Sequence, residues 1–163
     1  MNFKCTFNAY HFSLQEGDTI EPYDLQKWSS KPIRQRASSP KLIILNNALI
    51  SATLKIKPED MVKDLSLYGR MVENVVGAHL INSGLEVYYW RDRDVEVDFV
   101  IKNGKRIYAL EVTIGKNKNS TKGLAAFQRK NPNSKAIVIG GEKPEWGVEE
   151  FLLSDPRTLL EGI

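Results

Sequence analysis

The clearest hydrophobic pattern in the chain lies in residues 67–82, where apolar side chains recur at helical spacing. These positions are Met71, Val72, Val75, Val76 and Leu80. Side chains three and four residues apart share one face of an α-helix, and Gly84 follows as a residue that favours helix termination. The pattern therefore predicts a helix over residues 67–82.

Three segments after this helix have the composition of β-strands. They cover residues 86–91, 95–102 and 105–114, and each is rich in β-branched or aromatic residues. Asn103 and Gly104 join the last two segments, and an Asn-Gly pair is the strongest short signal for a two-residue hairpin turn. We therefore expect an antiparallel hairpin here.

A polar loop and a predicted helix over residues 124–130 separate the hairpin from a fourth strand. Residues 135–141 form a continuous apolar run bounded by turn residues, which is typical of a fully buried strand. A strand that follows a crossover helix runs parallel to the strand before it. The predicted order is α-β-β-β-α-β, in an α/β domain with a mixed sheet flanked by helices.

The two ends of the chain are less regular. Residues 1–36 are polar and contain a loop-like stretch, so we assign them as an N-terminal arm or partial element before a domain over residues 37–163. An apolar run after Pro40 leads into a short predicted helix over residues 48–54. Another short helix is predicted near residues 148–153.

Composition indicates one soluble domain. The 163 residues are 42% hydrophobic and 26% charged, which is typical of a globular chain. No apolar run approaches the ~20 residues that span a bilayer, and the N-terminus lacks the features of a secretory signal. The single cysteine, Cys5, cannot form an internal disulfide. We therefore expect a cytoplasmic protein with no membrane partner.

The net charge of +3 is unevenly distributed along the chain. Residues 102–135 contain nine basic residues and one acid, a net charge of +8, whereas the last 28 residues carry six acids and two bases. A phosphate-binding surface needs such a concentration of positive charge, although a solvated surface with loop lysines has the same composition. The candidate nucleic-acid-binding residues are Lys116, Lys118, Lys122, Arg129 and Lys130.

Acids occupy strand positions in the predicted hairpin, where acidic side chains are unfavourable. A two-residue Asn-Gly loop would place Glu96 opposite Glu111, with Asp98 on the diagonal of the same face. Like charges so close destabilise a sheet, so either Glu96 bends away at a strand end or the acids share a cation or a proton. The helix over residues 67–82, with Glu73 in it, is expected to cover this face. Converging carboxylates would suit Mg²⁺ or Mn²⁺.

A helix glutamate, EVDF in the second strand and LEVT in the third resemble the signature of the PD-(D/E)XK nucleases, and the element order is similar to the restriction-endonuclease-like core. More closely, SPKLIILNNALI, GRMVENVVGAHL, VYYWRDRDVEVDFVI and ALEVTIGK resemble the uncharacterised C-terminal domain behind the ATPase module of many archaeal and bacterial AAA-type ATPases. The resemblance covers residues 39–141. The sequence has no G-x-x-x-x-G-K-[ST] loop, so we expect a separated C-terminal piece or a stand-alone relative, with an ATPase module in cis or in trans.

The resemblance implies a divalent-metal site. Asp98 and Glu111 would hold Mg²⁺ or Mn²⁺, with the backbone carbonyl of Val112 as a further ligand and Glu73 completing the site. The implied activity is that of a metal-dependent endonuclease that acts on nucleic acid, with DNA favoured.

One position departs from the signature. The motif lysine, two residues after the strand acid, is replaced by Thr113, and a threonine hydroxyl has no positive charge. Lys116, three residues further along, is the candidate replacement in the catalytic set. Gln128 in the next helix is either a helper glutamine of the kind found in some superfamily members or a surface residue.

Simpler interpretations of these residues stay open. Glu73 could cap its helix or pair with Arg70, and Asp98 and Glu111 could form a structural ion pair with Arg91 or Arg93. His79 is expected to be a partly buried helix residue rather than a ligand. The chain is thus a nuclease, a non-catalytic nucleic-acid-binding module, or a protein-interaction or oligomerisation domain of a larger ATPase.

Overall fold

Two β-sheets organise the protein. The computed structural model describes residues 22–29, 39–55, 63–115 and 120–163. The strands are β1 (Tyr23–Leu25), β2 (Lys41–Ile43), β3 (Glu86–Asp92), β4 (Val95–Asn103), β5 (Arg106–Val112) and β6 (Ser134–Ile139). β1 and β2 form a small antiparallel sheet, and the other strands form a mixed sheet in the order β3-β4-β5-β6. The predicted parallel pairing of β5 with β6 is confirmed.

Helices flank the mixed sheet, as the sequence predicts. They are α1 (Asn47–Leu54), α2 (Leu65–Asn82), α3 (Ser120–Lys130), α4 (Val148–Leu153) and α5 (Pro156–Glu161). The Asp64 carboxylate caps α2 by accepting hydrogen bonds from two backbone amides of its first turn. Helix α5 was not predicted, although Asp155 caps it and a proline opens it. Within the described ranges, no helix is both long and apolar enough to cross a membrane.

The mixed sheet separates two apolar cores. On one side α2 packs against the sheet, and this core includes Val76, Leu80, Phe99, Ile101, Tyr108 and Leu110. On the other side lies α3, and this core includes Trp90, Val97, Val100, Ala109, Leu124 and Phe127. Val100 and Ala109 lie on the predicted acid-bearing face of the hairpin, and the expectation that residues 67–82 cover this face is wrong for these two residues, because α3 covers them.

The hairpin between β4 and β5 differs from the predicted register. Asn103 pairs with Arg106 and Lys102 with Ile107, so the two-residue loop consists of Gly104 and Lys105 instead of Asn103 and Gly104. The φ angle of Gly104 is +61°, and a glycine at the first loop position is typical of a type II′ turn. The predicted pairing of Glu96 with Glu111 is wrong for this reason.

β6 lies at the edge of the mixed sheet. Its lysine, Lys135, is exposed to solvent, so the prediction of a fully buried strand is wrong. Ile137 and Ile139 nonetheless belong to the core beneath α2.

The small sheet joins the N-terminal part of the chain to the α2 side of the domain. Leu25 in β1 and Ile43 in β2 are 0% and 2% exposed, respectively, and both belong to the core that α2 covers. Cys5 and most of residues 1–36 lie outside the described residues. The boundary after residue 36 stays a prediction, with β1 lying before it.

Candidate functional site

A bulge in β4 determines which way its acids point. Tyr88 pairs with Val100 and Trp90 with Val97, so β4 contains one more residue than β3 between these pairs. The extra residue interrupts the strict alternation of side chains. Asp98 lies in the bulge beside Phe99, and both approach α2 and β2, as their contacts with Lys41 show.

Lys41 is the cation at the centre of this region. Its Nζ atom forms an ion pair with Glu73 of α2 and lies 3.3 Å from a Glu96 oxygen and 3.7 Å from an Asp98 oxygen. The ammonium also lies 5.4 Å from the centre of the Phe99 ring. Burial lowers the pKa of Lys41, but Glu73 and Asp98 outweigh this effect, and the net pKa is raised. Lys41 is therefore held in its charged form.

Arg91 supplies the second cation. Its Nε atom donates a 2.8 Å hydrogen bond to Glu96, the residue opposite it across β3 and β4. Arg91 thus pairs with Glu96 and not with Asp98 or Glu111, and Glu73 pairs with Lys41 and not with Arg70. The two ion pairs considered as simpler interpretations are replaced by these contacts.

Asp98 and Glu111 lie where β4 and β5 begin to separate. The backbone pairing of the two strands ends at Phe99 and Leu110. Beyond it, an oxygen of Asp98 accepts a 2.9 Å hydrogen bond from the Val112 amide. Oε2 of Glu111 is buried and has no hydrogen-bond partner among the described residues. A buried carboxylate oxygen without a partner is costly unless the group is protonated or binds a cation.

Both of these carboxyl groups have strongly raised pKa values. Burial, followed by the charge of Glu73, raises the pKa of Asp98 to about 7. Burial, followed by the charge of Asp98, raises the pKa of Glu111 to about 9. Such pairs of mutually perturbed acids are typical of functional sites.

The charges in this group of residues do not balance. We call Lys41, Glu73, Glu96, Asp98 and Glu111 the acid cluster. Arg91 contacts its edge, and the two basic side chains contact Glu73, Glu96 and Asp98. When all six groups are ionised, two negative charges remain in excess, and the acids with raised pKa values are Asp98 and Glu111.

The carboxylate oxygens of the acid cluster are of the chemical type that binds divalent metal ions. Carboxylate oxygens are the ligands that Mg²⁺ and Mn²⁺ prefer, and the excess of two negative charges matches one divalent ion. Within the part of the chain that the structure describes, no group of three or more His, Cys, Asp or Glu side chains is arranged to hold a metal. Lys41 contacts the carboxylates instead, so metal binding would require it to move.

Thr113, at the position of the motif lysine, is enclosed. Its side chain is 7% exposed and its hydroxyl has no hydrogen-bond partner among the described residues. Gly140 and Gly141 pack against it closely: a Cβ atom at Gly141 would lie 2.6 Å from the Thr113 methyl carbon. The Thr113 hydroxyl cannot replace the positive charge of the motif lysine, and its surroundings leave it little room to move.

Several contacts fix the position of β2 and hence of Lys41. Asn74 of α2 accepts a 3.0 Å hydrogen bond from the Ile44 amide and donates a 2.8 Å hydrogen bond to the Ile44 carbonyl. The Tyr89 hydroxyl donates a 2.5 Å hydrogen bond to the Ser39 carbonyl on the other side of the strand. Lys41 is thus held from both directions along the chain.

The predicted basic residues are divided between described and undescribed parts of the chain. Lys116 and Lys118 lie outside the described residues. Lys122 and Arg129 are exposed on α3, and Lys130 is exposed but pairs with Asp92. None of the three contacts the acid cluster directly.

The first turn of α3 packs closely against the backbone of β4. A Cβ atom at Gly123 would lie 1.8 Å from the Glu96 carbonyl oxygen. Lys122, the residue before Gly123, is exposed.

Two other predicted residues have structural contacts. Gln128 donates a 3.3 Å hydrogen bond to the Ser134 carbonyl at the start of β6, which is a contact away from the acids. The Nε2 atom of His79 lies 2.9 Å from the Ser154 carbonyl oxygen, and its ring packs edge-on against Phe151. The expectation that His79 is a partly buried helix residue is confirmed.

Lys41 is the residue that sequence analysis missed. The signal was present in KLI, where Lys41 and Ile43 occupy alternate positions of a short strand and must share a side. Since Ile43 is buried and Leu42 is 57% exposed, Lys41 points inward. A lysine at an inward strand position requires an acidic partner.

The fold and the acid cluster define a mixed α/β domain with an oxygen-rich site between α2, β2 and the bulge of β4. Comparison with protein families matches residues 68–153 to the family described as "Domain of unknown function (DUF4143)". The match covers more than half of the chain and includes Glu73, Asp98 and Glu111, so the chain belongs to the DUF4143 family. Searches of curated proteins and of solved structures found no match.

Proposed function

We propose that this domain binds nucleic acid, with DNA favoured, and hydrolyses its phosphodiester bonds at a divalent-metal site. The observation that carries the proposal is the relation between Asp98 and Glu111. These two carboxyl groups come from adjacent strands and have pKa values raised to about 7 and about 9, because burial and neighbouring carboxylates outweigh the charge of Lys41. A divalent ion bound to both groups would offset the repulsion between their ionised forms.

The residues that would hold the ion are Asp98, Glu111, the Val112 carbonyl and Glu73. When bound, Mg²⁺ or Mn²⁺ would lower the pKa of a water molecule and offset negative charge on the attacked phosphate. The Val112 amide orients Asp98 through its 2.9 Å hydrogen bond. Burial of Glu111 limits access of bulk water to the site.

The nuclease interpretation is supported by the order of elements around these acids. From α2 to β6 the chain runs helix, three strands, helix, strand, the order of the restriction-endonuclease-like core that the sequence resembles. Asp98 lies on the second of the three strands and Glu111 on the third, as the PD-(D/E)XK signature requires. The positively charged segment of residues 102–135 would provide the surface for the phosphate backbone.

An alternative function is a non-catalytic role in protein interaction or oligomerisation within a larger ATPase. Two observations favour it: Thr113 stands at the motif lysine position, and Lys41 already pairs with Glu73, Glu96 and Asp98. Membership in the DUF4143 family is consistent with a domain that follows an ATPase module, in cis or in trans. In this alternative, Lys41 is a permanent counter-ion that closes the acid cluster.

Cleavage assays separate these functions. We would incubate wild type with labelled duplex, branched and single-stranded DNA, with Mg²⁺ and with Mn²⁺, beside Asp98→Ala and Glu111→Ala. Asp94→Ala, in the exposed turn between β3 and β4, is the matched control. We expect cleavage by wild type and control, and a loss of roughly 100-fold or more in both site variants.

The outcomes of this assay lead to different conclusions. No cleavage by wild type with either metal would exclude catalysis by this domain. Salt-dependent binding to the same DNA would then support the binding function, because phosphate contacts release counterions. Absence of any binding would leave the protein-interaction role. A Lys116→Ala variant tests the predicted replacement lysine in the same assay.

A further inference from the structure

We propose that Lys41 is the cationic residue of this site and contacts the phosphate of the bound nucleic acid, in the role that the signature assigns to the residue at position 113. This inference rests on the proposed function. It differs from the expectation for Lys116 because Lys41 comes from β2, outside the segment that carries the signature.

The first argument is that the residue at position 113 supplies no positive charge. Two strand acids are present, but Thr113 provides no charge and is enclosed by Gly140 and Gly141. Hydrolysis of a phosphodiester forms a bond from a water oxygen to phosphorus, breaks the ester P–O bond, and transfers a proton from the water to the solvent and one from the solvent to the leaving oxygen. Charge on the phosphate oxygens increases during this step, and a lysine ammonium stabilises it.

The second argument is distance. Within the described residues, Lys41 is the lysine whose ammonium contacts the carboxylates of the acid cluster, at 3.7 Å from Asp98 and 3.3 Å from Glu96. A phosphate held by a metal ion at Asp98 would therefore come within a few ångströms of this ammonium. The lysine stem is flexible, so a small movement brings Nζ from Glu73 toward a phosphate oxygen.

The third argument is access. Lys41, Arg70 and Glu73 line an open cleft of about 300 Å³ between β2 and α2. The Lys41 side chain is 22% exposed, so it is neither sealed in the interior nor free on the surface. The cleft gives an anionic ligand a path to Lys41, and Arg70 adds a second positive charge at its wall.

The fourth argument is that the position of Lys41 is structurally specified. Asn74 and Tyr89 hold the chain on either side of it by hydrogen bonds to Ile44 and Ser39. A surface lysine that only balances charge does not need such support. Groups that contact a reacting phosphate do need it, because misplacement of about 1 Å reduces the rate strongly.

The test measures how DNA binding depends on salt, which does not require cleavage. Binding of a labelled duplex would be titrated at several salt concentrations in the presence of Ca²⁺, for wild type, Lys41→Met and Lys41→Arg. Lys143→Met is the matched control, because Lys143 is exposed and lies in the acidic C-terminal segment, outside residues 102–135. One lost phosphate contact lowers the slope of log K against log salt by about one.

We expect Lys41→Met to weaken binding and reduce the slope by about one, whereas Lys41→Arg and Lys143→Met keep the wild-type slope. If wild type cleaves DNA, Lys41→Met should also lower the rate by roughly 100-fold or more. An unchanged slope for Lys41→Met, with wild type showing salt-dependent binding, would overturn the role of Lys41 alone. A wild type that does not bind DNA would overturn the proposed function and this inference with it.

A second measurement avoids the risk that Lys41→Met fails to fold. Lysine amines of the wild-type protein can be methylated with ¹³C-formaldehyde, and the Lys41 signal can be assigned by its loss in Lys41→Arg. Adding duplex DNA should shift the Lys41 signal and leave that of Lys143 in place. A Lys41 signal that does not respond to saturating DNA would overturn the proposal.

Discussion

The amide of Val112 donates a 2.9 Å hydrogen bond to the carboxylate of Asp98, and this contact joins the two acid-bearing strands at the point where they separate. Glu111 immediately precedes Val112 along β5. The bulge in β4 turns Asp98 toward this amide, so the backbone itself brings the second acid beside the first. The cost of this arrangement is visible in the raised pKa values of both carboxyl groups.

The free energy of unfolding of the metal-free protein should decrease as pH rises. The folded-state pKa values of about 7 for Asp98 and about 9 for Glu111 lie above the ordinary values. The protonated groups therefore contribute fully below pH ~4, and that contribution is lost as pH rises toward 9. We expect the free energy of unfolding to fall by several kcal/mol between pH 5 and pH 9, at about 1.4 kcal/mol per pH unit for each group that is protonated only in the folded state.

Urea unfolding at several pH values in the presence of a chelator measures this dependence. Asp98→Asn should flatten the curve and make the protein more stable than wild type at pH 8, because it removes a charge that Glu73 and Glu96 repel. Asp155→Asn is the control, since the pKa of Asp155 is lowered by its helix-cap hydrogen bond. Stability of wild type that rises steadily from pH 5 to pH 9 would contradict the assignment.

Close packing of α3 on β4 should make Gly123 intolerant of a side chain. A Cβ atom there would lie 1.8 Å from the Glu96 carbonyl oxygen, so Gly123→Ala must push the helix away from the sheet. We expect a loss of roughly 2–4 kcal/mol in the free energy of unfolding. Gly147→Ala, whose Cβ would have its nearest neighbour at 4.0 Å, should change it by less than about 1 kcal/mol. Equal effects of the two changes would refute the close approach.

Asn74 should control the position of Lys41 without contacting it. Asn74→Ala removes hydrogen bonds to both backbone groups of Ile44 and to Asn47, at a cost of roughly 1–3 kcal/mol. Hydrogen exchange of the Ile44 amide should become faster. Asn82→Ala is the control, because Asn82 is exposed and its hydrogen bond to Leu45 is long, at 3.5 Å. An Ile44 amide that exchanges at the wild-type rate in Asn74→Ala would argue against this anchoring.

Local sequence patterns identified most of the elements but not the arrangement of the site. Helix α2 and strands β3 to β5 were predictable because helical spacing and strand composition act over a few residues. The register of the hairpin depended on which of Asn103 and Gly104 took the first loop position, a difference that composition does not determine. The bulge adds one residue to β4 at Asp98, and no local sequence pattern indicates it.

The part of the site that the sequence could not predict is long-range. Lys41 is 55 residues from Glu96 along the chain, and their contact exists because Ile43 and Leu25 join the core beneath α2. Burial of a short strand such as β2 is a tertiary property. By contrast, Glu73, Asp98 and Glu111 were candidates that could be read from the sequence, and the structure places Glu73 and Asp98 beside one lysine.

The most direct test of the central claim is calorimetric titration of Mn²⁺ into the metal-free protein at pH 7, in two buffers of different protonation enthalpy. We expect one Mn²⁺ to bind with release of protons, since ligand carboxyls with pKa values of about 7 and about 9 must ionise on binding. Asp98→Asn and Glu111→Gln should each weaken binding by roughly tenfold or more, while Glu86→Gln, on an exposed acid, should not. Wild-type protein that binds no Mn²⁺, or binds it equally well in all variants, would contradict the account.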